Sequence, residues 1–322
     1  MSFSGLACAQ ELLKQAVSVQ VFEKSRGIGG RIATRRLESG NTFDHGAQYF
    51  TARDPQFLAA VESWEADEIV AKWTGRIGGL NRGAISLAPD PPNRWVALPG
   101  MSSLPKHLAQ GLSVLTNTKI APLSNLPAER WQLFDEAKQS LGTFDWVVSC
   151  APPLQTAELF SAAADFSAKI AQVRMCPCWA VMVQFAEYVP LLADAAFVQD
   201  SPLAWIARNS SKPSRESTPE NWVLHATPEW SALHLEETPA EILPLLLEAF
   251  WTATEKPRQQ PLFSAVHRWR YSIPAAPLAE PFLLEPSLHL AACGDWCGGP
   301  RVEGAFLSGL KLGQELAKQL SV

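Results

Sequence analysis

Two stretches of this chain carry residue types that suit a nucleotide ligand. Glu23 follows the alternating run Val17-Ser18-Val19-Gln20-Val21-Phe22 and precedes Gly27, Gly29, Gly30 and Arg31. A carboxylate at the tip of a strand in a βαβ unit can accept hydrogen bonds from ribose hydroxyls. The backbone N–H groups of a glycine-rich loop, with a guanidinium beside them, suit a pyrophosphate. Near the other end, Gly294-Asp295 closes an apolar run over 288–293, and Val302-Glu303-Gly304-Ala305 opens the final helix. The N-terminus of that helix offers free N–H groups and partial positive charge.

A flavin would use both ends. The helix N-terminus can stabilise negative charge on the pyrimidine edge of a reduced ring, and Asp295 can accept from ribityl hydroxyls. Between them, Phe43-Asp44-His45-Gly46-Ala47-Gln48-Tyr49-Phe50 offers a backbone with little side chain at Gly46 and Ala47, against which a flat ring could lie. Gln48 and Tyr49 would then point at the ring or above it. The same residues also suit a tight turn with a packed Tyr, and His45 suits a structural hydrogen bond. A third group, Trp205, Arg208, His225, Trp230, Trp269, Arg270 and Tyr271, suits a flat, phosphate-bearing substrate and equally a Trp-rich core.

The elements that must position these residues follow from periodicity. Leu6, Ala9, Leu13 and Ala16 fall on one face of a helix over 4–16. In the G-x-G-x-x-G fingerprint Gly5 would be the third glycine, Ser2 stands where the second belongs, and the first would precede Met1. The expectation is a sequence that starts inside a dinucleotide unit, without its first strand. The alternative is a plain N-terminal helix with no loop before it. Strands are expected at 17–22, 113–116, 131–134 and 144–149, the last as a single run, and a helix at 155–172. Further on, strands at 179–185, 203–207 and 222–226 and a helix at 238–254 read as an antiparallel α+β unit. The polar stretch 209–218 reads as a surface loop.

The expected architecture is α/β plus α+β. A discontinuous Rossmann-like FAD-binding domain takes 1–62, 98–154 and 285–322, and an antiparallel-sheet substrate domain takes 63–97 and 155–284. The 322 residues, 47% hydrophobic and 18% charged with 12 Trp, give ample core for two domains. A net charge of −5 lacks the basic footprint of a nucleic-acid binder, and no apolar run is long enough for a membrane span. Six scattered cysteines suit free thiols, and with no signal-peptide pattern a cytoplasmic location is expected. No metal cluster and no nucleophile–base pair stands out, so no catalytic residue is assigned.

Taken together, VFEKSRGIGGRIATRR, FDHGAQYF, HRWRYSIP and CGDWCGGPRVEGAFLSG resemble the renalase-like branch of the flavin-containing amine oxidase superfamily, over nearly the whole chain. The resemblance implies non-covalent FAD. Glu23 with Lys24 would hold the adenosine ribose, Gly5, Gly30 and Arg31 the pyrophosphate region, and the backbone of Ile120 the adenine. Asp295 would serve the ribityl or pyrophosphate groups. Val302, Glu303, Gly304 and Ala305 would meet the pyrimidine end, and Gly46, Ala47 and Gln48 would lie beside the ring. The substrate pocket would draw on Gln48, Tyr49, Trp205, Arg208, His225, Trp269 and Tyr271. The implied reaction is hydride transfer from a dihydronicotinamide dinucleotide to flavin N5, with O2 giving hydrogen peroxide. The alternatives are oxidation of an amine C–N bond and a non-catalytic remnant acting as a binding module.

Overall fold

The computed structural model describes residues 2–89, 92–123 and 130–320. Helix α1 (Phe3–Lys14) begins at Ser2, whose side chain accepts from the Gly5 backbone N–H. It ends at Ala16, which takes a left-handed φ of 56°. Gly5 therefore lies in the first turn of the helix. The buried face of α1 (Phe3, Leu6, Ala7, Cys8, Leu12) packs along the C-terminal helix α8 (Arg301–Leu320). A Cβ at Gly309 of α8 would collide with the Ser4 carbonyl, so the crossing needs glycine there.

Two sheets of parallel character flank these helices. Strand β1 (Gln20–Phe22) pairs in parallel with β8 (Ser113–Leu115). Strand β11 (Val147–Ser149) pairs in parallel with β18 (Leu290–Ala292), whose other edge takes β17 (Leu283–Glu285) antiparallel. Three two-stranded ribbons surround them: β2 (Thr34–Arg36) with β3 (Thr42–Asp44), β4 (Val70–Lys72) with β7 (Trp95–Ala97), and β9 (Trp131–Phe134) with β10 (Ser140–Phe144).

The larger sheet has seven strands in the order β16 (Phe263–Pro274), β12 (Met175–Phe185), β15 (Glu220–Ala226), β14 (Leu203–Arg208), β13 (Ala195–Val198), β5 (Ile77–Asn81) and β6 (Ala84–Leu87). Helix α7 (Pro239–Thr254) covers one face. A capping box of Thr238 and Glu241 starts it, and Ile242, Leu246 and Phe250 enter a core with Trp179, Phe185 and Trp222. Short helices α2 (Pro55–Ala66), α3 (Ser103–Leu108), α4 (Pro153–Leu159), α5 (Ala164–Ala171) and α6 (Pro228–Leu233) fill the periphery. No helix among the described residues is long and apolar enough to cross a membrane.

Two expected elements come out differently and one long strand is added. The helix over 155–172 is two, α4 and α5. Phe160 and Phe166 both enter one core, and six residues of unbroken helix would set them about 120° apart around the axis. The run 144–149 breaks after Phe144, which packs edge-to-face on Phe22, while Asp145 turns out to pair with Arg130. The chain thereby passes from the β9–β10 ribbon to the β11–β18 sheet. The long strand β16 was not expected at all. It alternates His267, Trp269 and Tyr271 with Arg268, Arg270 and Ser272.

Candidate active site

A cavity of ≈ 1930 Å³ runs between the strand-tip loop after β1, the start of α8 and one face of the seven-stranded sheet. It includes a side branch walled by Val17, Val19, Val21, Trp146 and Val148. Single-ligand pockets usually span about 300–1,000 Å³, so this volume has room for a dinucleotide and a second molecule.

Glu23, Lys24, Gly30, Ile120 and Gly5 line one end of the cavity. Glu23 is 5% exposed and accepts from the Ser25 N–H at 2.6 Å, which fixes the carboxylate at the strand tip. Lys24 Nζ donates to Gln155 at 2.9 Å. Ile120 sits on a single bridge to Asp135. Further along, Arg31 donates from Nη1 and Nη2 to both Asp295 oxygens, at 2.7 and 2.6 Å, and from Nη1 to the Ser272 carbonyl at 2.7 Å. Arg31 and Asp295 are thus each other's partner across the cavity. Of the five N–H groups of a guanidinium, Nε and one on Nη2 remain for a ligand. A Cβ at Gly46 would collide with the Arg31 carbonyl, and Ala47 N–H donates to that same carbonyl at 2.9 Å. This close approach locks the Gly46–Ala47 backbone, one lining segment of the cavity, onto the Arg31 loop.

The sheet supplies the adjoining wall, which the Gly46 segment meets at Trp269. Its register places Trp205, His225, Ala180 and His267 in one row across β14, β15, β12 and β16. The small Ala180 leaves room for His45, whose carbonyl lies 3.0 Å from His225 Nε2 and accepts from Trp269 Nε1 at 2.9 Å. His45 stacks on Trp269 with centroids 5.3 Å apart. Burial pushes His45 down to about 4, helped by neighbouring His267, and burial likewise pushes His225 down to about 4. Burial lowers His267 as well. The wall is therefore a set of neutral imidazoles and aromatic rings at ordinary pH. Tyr49 lies between Trp205, at 5.6 Å, and the Arg94 guanidinium, at 5.4 Å.

Behind Gln48 sits a buried ionic cluster. Asp44 Oδ2 lies 2.7 Å from Arg215 Nη2 and 3.3 Å from Lys212 Nζ, and the Met101 N–H donates to Oδ1. Burial alone would raise the Asp44 carboxyl, but Lys212 and Arg215 overcome it and hold it at about 2. Lys212 falls to about 8 because its burial outweighs the attraction of Asp44. Gln48 donates to the Asp44 and Gly46 carbonyls and accepts from Lys212 at 3.2 Å. Its amide is directed into this cluster, so its contribution to the cavity is backbone and stem, where an amide aimed at the ring was expected.

Other expected residues also move. Arg208 does not line the cavity. It pairs with Asp194 at 3.0 Å and Glu220 at 2.6 Å, and stacks on Tyr188 and Trp222, as a buried arginine needing counter-charge does. Gly304 does not line it either; a Cβ there would strike the Gly299 carbonyl. Its role is to let the loop fold back on α8. Val302, Glu303 and Ala305 do line the cavity. The Glu303 carboxylate accepts from the Arg53 and Asp54 N–H groups at 2.6 and 2.8 Å. The stretch 209–218 is no surface loop at its start: Asn209 and Lys212 are buried, and Arg215 reaches inward. Tyr49, Trp205, His225, Trp269 and Tyr271 all line the cavity. Arg94 and His267 line it too and went unnoticed in the sequence. The period-two alternation of β16 could have revealed His267.

The chain matches the flavin containing amine oxidoreductase family over residues 3–67 and 82–316 and belongs to it. It is accordingly an FAD-dependent oxidoreductase. The fold is shared with a putative protoporphyrinogen oxidase from Exiguobacterium sp. 255-15 (TM-score 0.78, 13% identity, covering 99% of this chain and 97% of that one). Cyclohexylamine oxidase from Brevibacterium oxydans IH-35A gives TM-score 0.76 at 13% identity, covering 100% and 98%. Putrescine oxidase bound to putrescine gives 0.70 at 11%, covering 99% and 97%. The residues present fit FAD on their own chemistry: a carboxylate at a strand tip and a guanidinium with two spare donors line a cavity of ≈ 1930 Å³, large enough for a dinucleotide.

Proposed function

We propose that the enzyme is of the renalase-like kind and oxidises a dihydronicotinamide-type nucleotide. The observation that carries this reading is the sheet wall of the cavity. Its row of Trp205, His225 and His267, with Trp269 beside it, is uncharged; Arg268 and Arg270 of β16 also line the cavity but pair with Glu236, and Arg94 lines it without an ion-pair partner among the described residues. A planar, phosphate-bearing dihydropyridine suits such a wall. A protonated amine would instead meet Arg94 and no carboxylate in that row.

FAD, when bound, supplies a hydride acceptor at N5 and, with O2 taking the electrons, yields hydrogen peroxide. Losing hydride makes a dihydropyridine aromatic, so no protein base is required. The residues instead stack the substrate, orient it and exclude water. In this reading Glu23 and Lys24 hold the ribose end, Arg31 and Asp295 the middle, and the start of α8 the pyrimidine edge. Residues 1–62, 98–154 and 285–322 form the cofactor unit, with the rest as the substrate unit.

The second reading is amine oxidation, favoured by the family and by the amine oxidases that share the fold. Anaerobic mixing of the holoenzyme separates the two. Loss of the flavin's visible absorption with dihydronicotinamide isomers and not with primary amines is the expected result. Bleaching by amines alone would overturn the proposal.

A further inference from the structure

Arg94 stands apart from the other buried or half-buried arginines, and from the fully buried Lys212. Arg31, Arg208, Lys212 and Arg215 each have a carboxylate partner. The Arg94 side chain makes no ion pair and no hydrogen bond among the described residues, and its Nε is buried without a partner. The guanidinium lies 5.4 Å from the Tyr49 ring centroid and lines the cavity. Buried donors normally find acceptors, and an anion carried into the cavity would answer this one.

The backbone fixes Arg94 in place. Phe50 and Trp95 exchange two hydrogen bonds of 2.9 Å, and the Arg94 carbonyl accepts from Trp73 N–H at 2.8 Å. Arg53, on the paired segment, lines the cavity too. Glu303, a carboxylate that also lines the cavity, accepts at Oε1 from the Arg53 and Asp54 N–H groups and makes no ion pair with Arg94 among the described residues.

We propose that Arg94 is the anion-binding residue of the substrate pocket, its planar fork taking the phosphate of a nucleotide substrate. The proposal rests on the dihydronicotinamide reading for the identity of that phosphate. It places the phosphate beside Tyr49, with the reacting ring further along the His225–His267 row. A guanidinium matches two phosphate oxygens at once, which a lysine cannot do.

The test is calorimetric titration of the holoenzyme with nicotinamide mononucleotide and with nicotinamide riboside, which differ only in the phosphate. The native enzyme is expected to bind the mononucleotide about 10- to 100-fold more tightly, the range of a charge-assisted hydrogen bond. In Arg94→Gln that preference falls to near one, and Arg94→Lys keeps part of it. The lysine variant also covers the case in which Arg94→Gln fails to retain flavin. With the corresponding dihydro substrates, the loss appears mainly in KM. A native enzyme with no preference for the phosphate, or a preference that survives in Arg94→Gln, overturns the assignment. Arg94-dependent binding without any turnover of the dihydro forms would uphold the anion site and overturn the proposed reaction.

Discussion

Lys212 Nζ lies 3.3 Å from Asp44 Oδ2, and both side chains are fully buried. Arg215 reaches the same oxygen at 2.7 Å. One carboxylate therefore serves two cations that have left water. Replacing Asp44 with Asn leaves both without a counter-ion and should lower stability by roughly 3–5 kcal/mol, read by urea unfolding at neutral pH. The Asp44→Asn/Lys212→Met double variant should lose less than the sum of the two single losses. Simple additivity would mean the pair is not coupled.

Stability should fall in two acid windows. His45 and His225 are held near 4 against an ordinary 6.5. The unfolded chain then takes up their protons first, and stability drops as pH falls from 6.5 towards 4. Asp44 is held near 2 against 3.8, so its contribution is present above 3.8 and is lost as pH falls towards 2. That depression corresponds to roughly 2 kcal/mol. Unfolding free energies measured from pH 8 downward should show a flatter upper window in His225→Gln and a flatter lower one in Asp44→Asn. Variant profiles parallel to the native one would count against both assignments.

The Arg31–Asp295 pair spans the cavity, and Asp295→Asn should weaken FAD retention by about tenfold or more. The readout is the flavin-to-protein ratio after dialysis at graded FAD concentrations. Full flavin content at the native concentration dependence would remove Asp295 from the cofactor site.

Gly46 and Gly27 make a matched comparison. A Cβ at Gly46 meets the Arg31 carbonyl, whereas nothing lies within 4 Å of one at Gly27. Gly46→Ala should destabilise by about 1–3 kcal/mol and release flavin, and Gly27→Ala should stay within about 0.5 kcal/mol of the native protein. Thermal unfolding with flavin absorbance as a second signal decides it.

The local part of this design was readable in the sequence. Glu23 at a strand tip, the glycines before Arg31, and Gly294-Asp295 ahead of a helix depend on neighbours within a few residues. The mutual pairing of Arg31 with Asp295 was not readable, because it joins segments far apart in the chain. Lys212 and Arg215 misled for a different reason. Polarity places a segment at the surface unless a counter-charge waits inside, and that charge, Asp44, belongs to another ribbon. Arg208 was misplaced in the same way, its partners Asp194 and Glu220 lying on other strands. Arg94 gave no signal because a single arginine in a loop shows its isolation only once its neighbours are known.

The crossing of α1 on α8 also bears on how the chain is made. The ribosome delivers α1 (Phe3–Lys14) before α8 (Arg301–Leu320), at about 5–20 residues per second, so tens of seconds separate the two. Through that interval Cys8 and Leu12 lack the α8 side chains Leu312 and Leu316 that cover them. The nascent chain must therefore be shielded along α1 until α8 emerges, and the part of the cavity that α8 lines is completed late in synthesis.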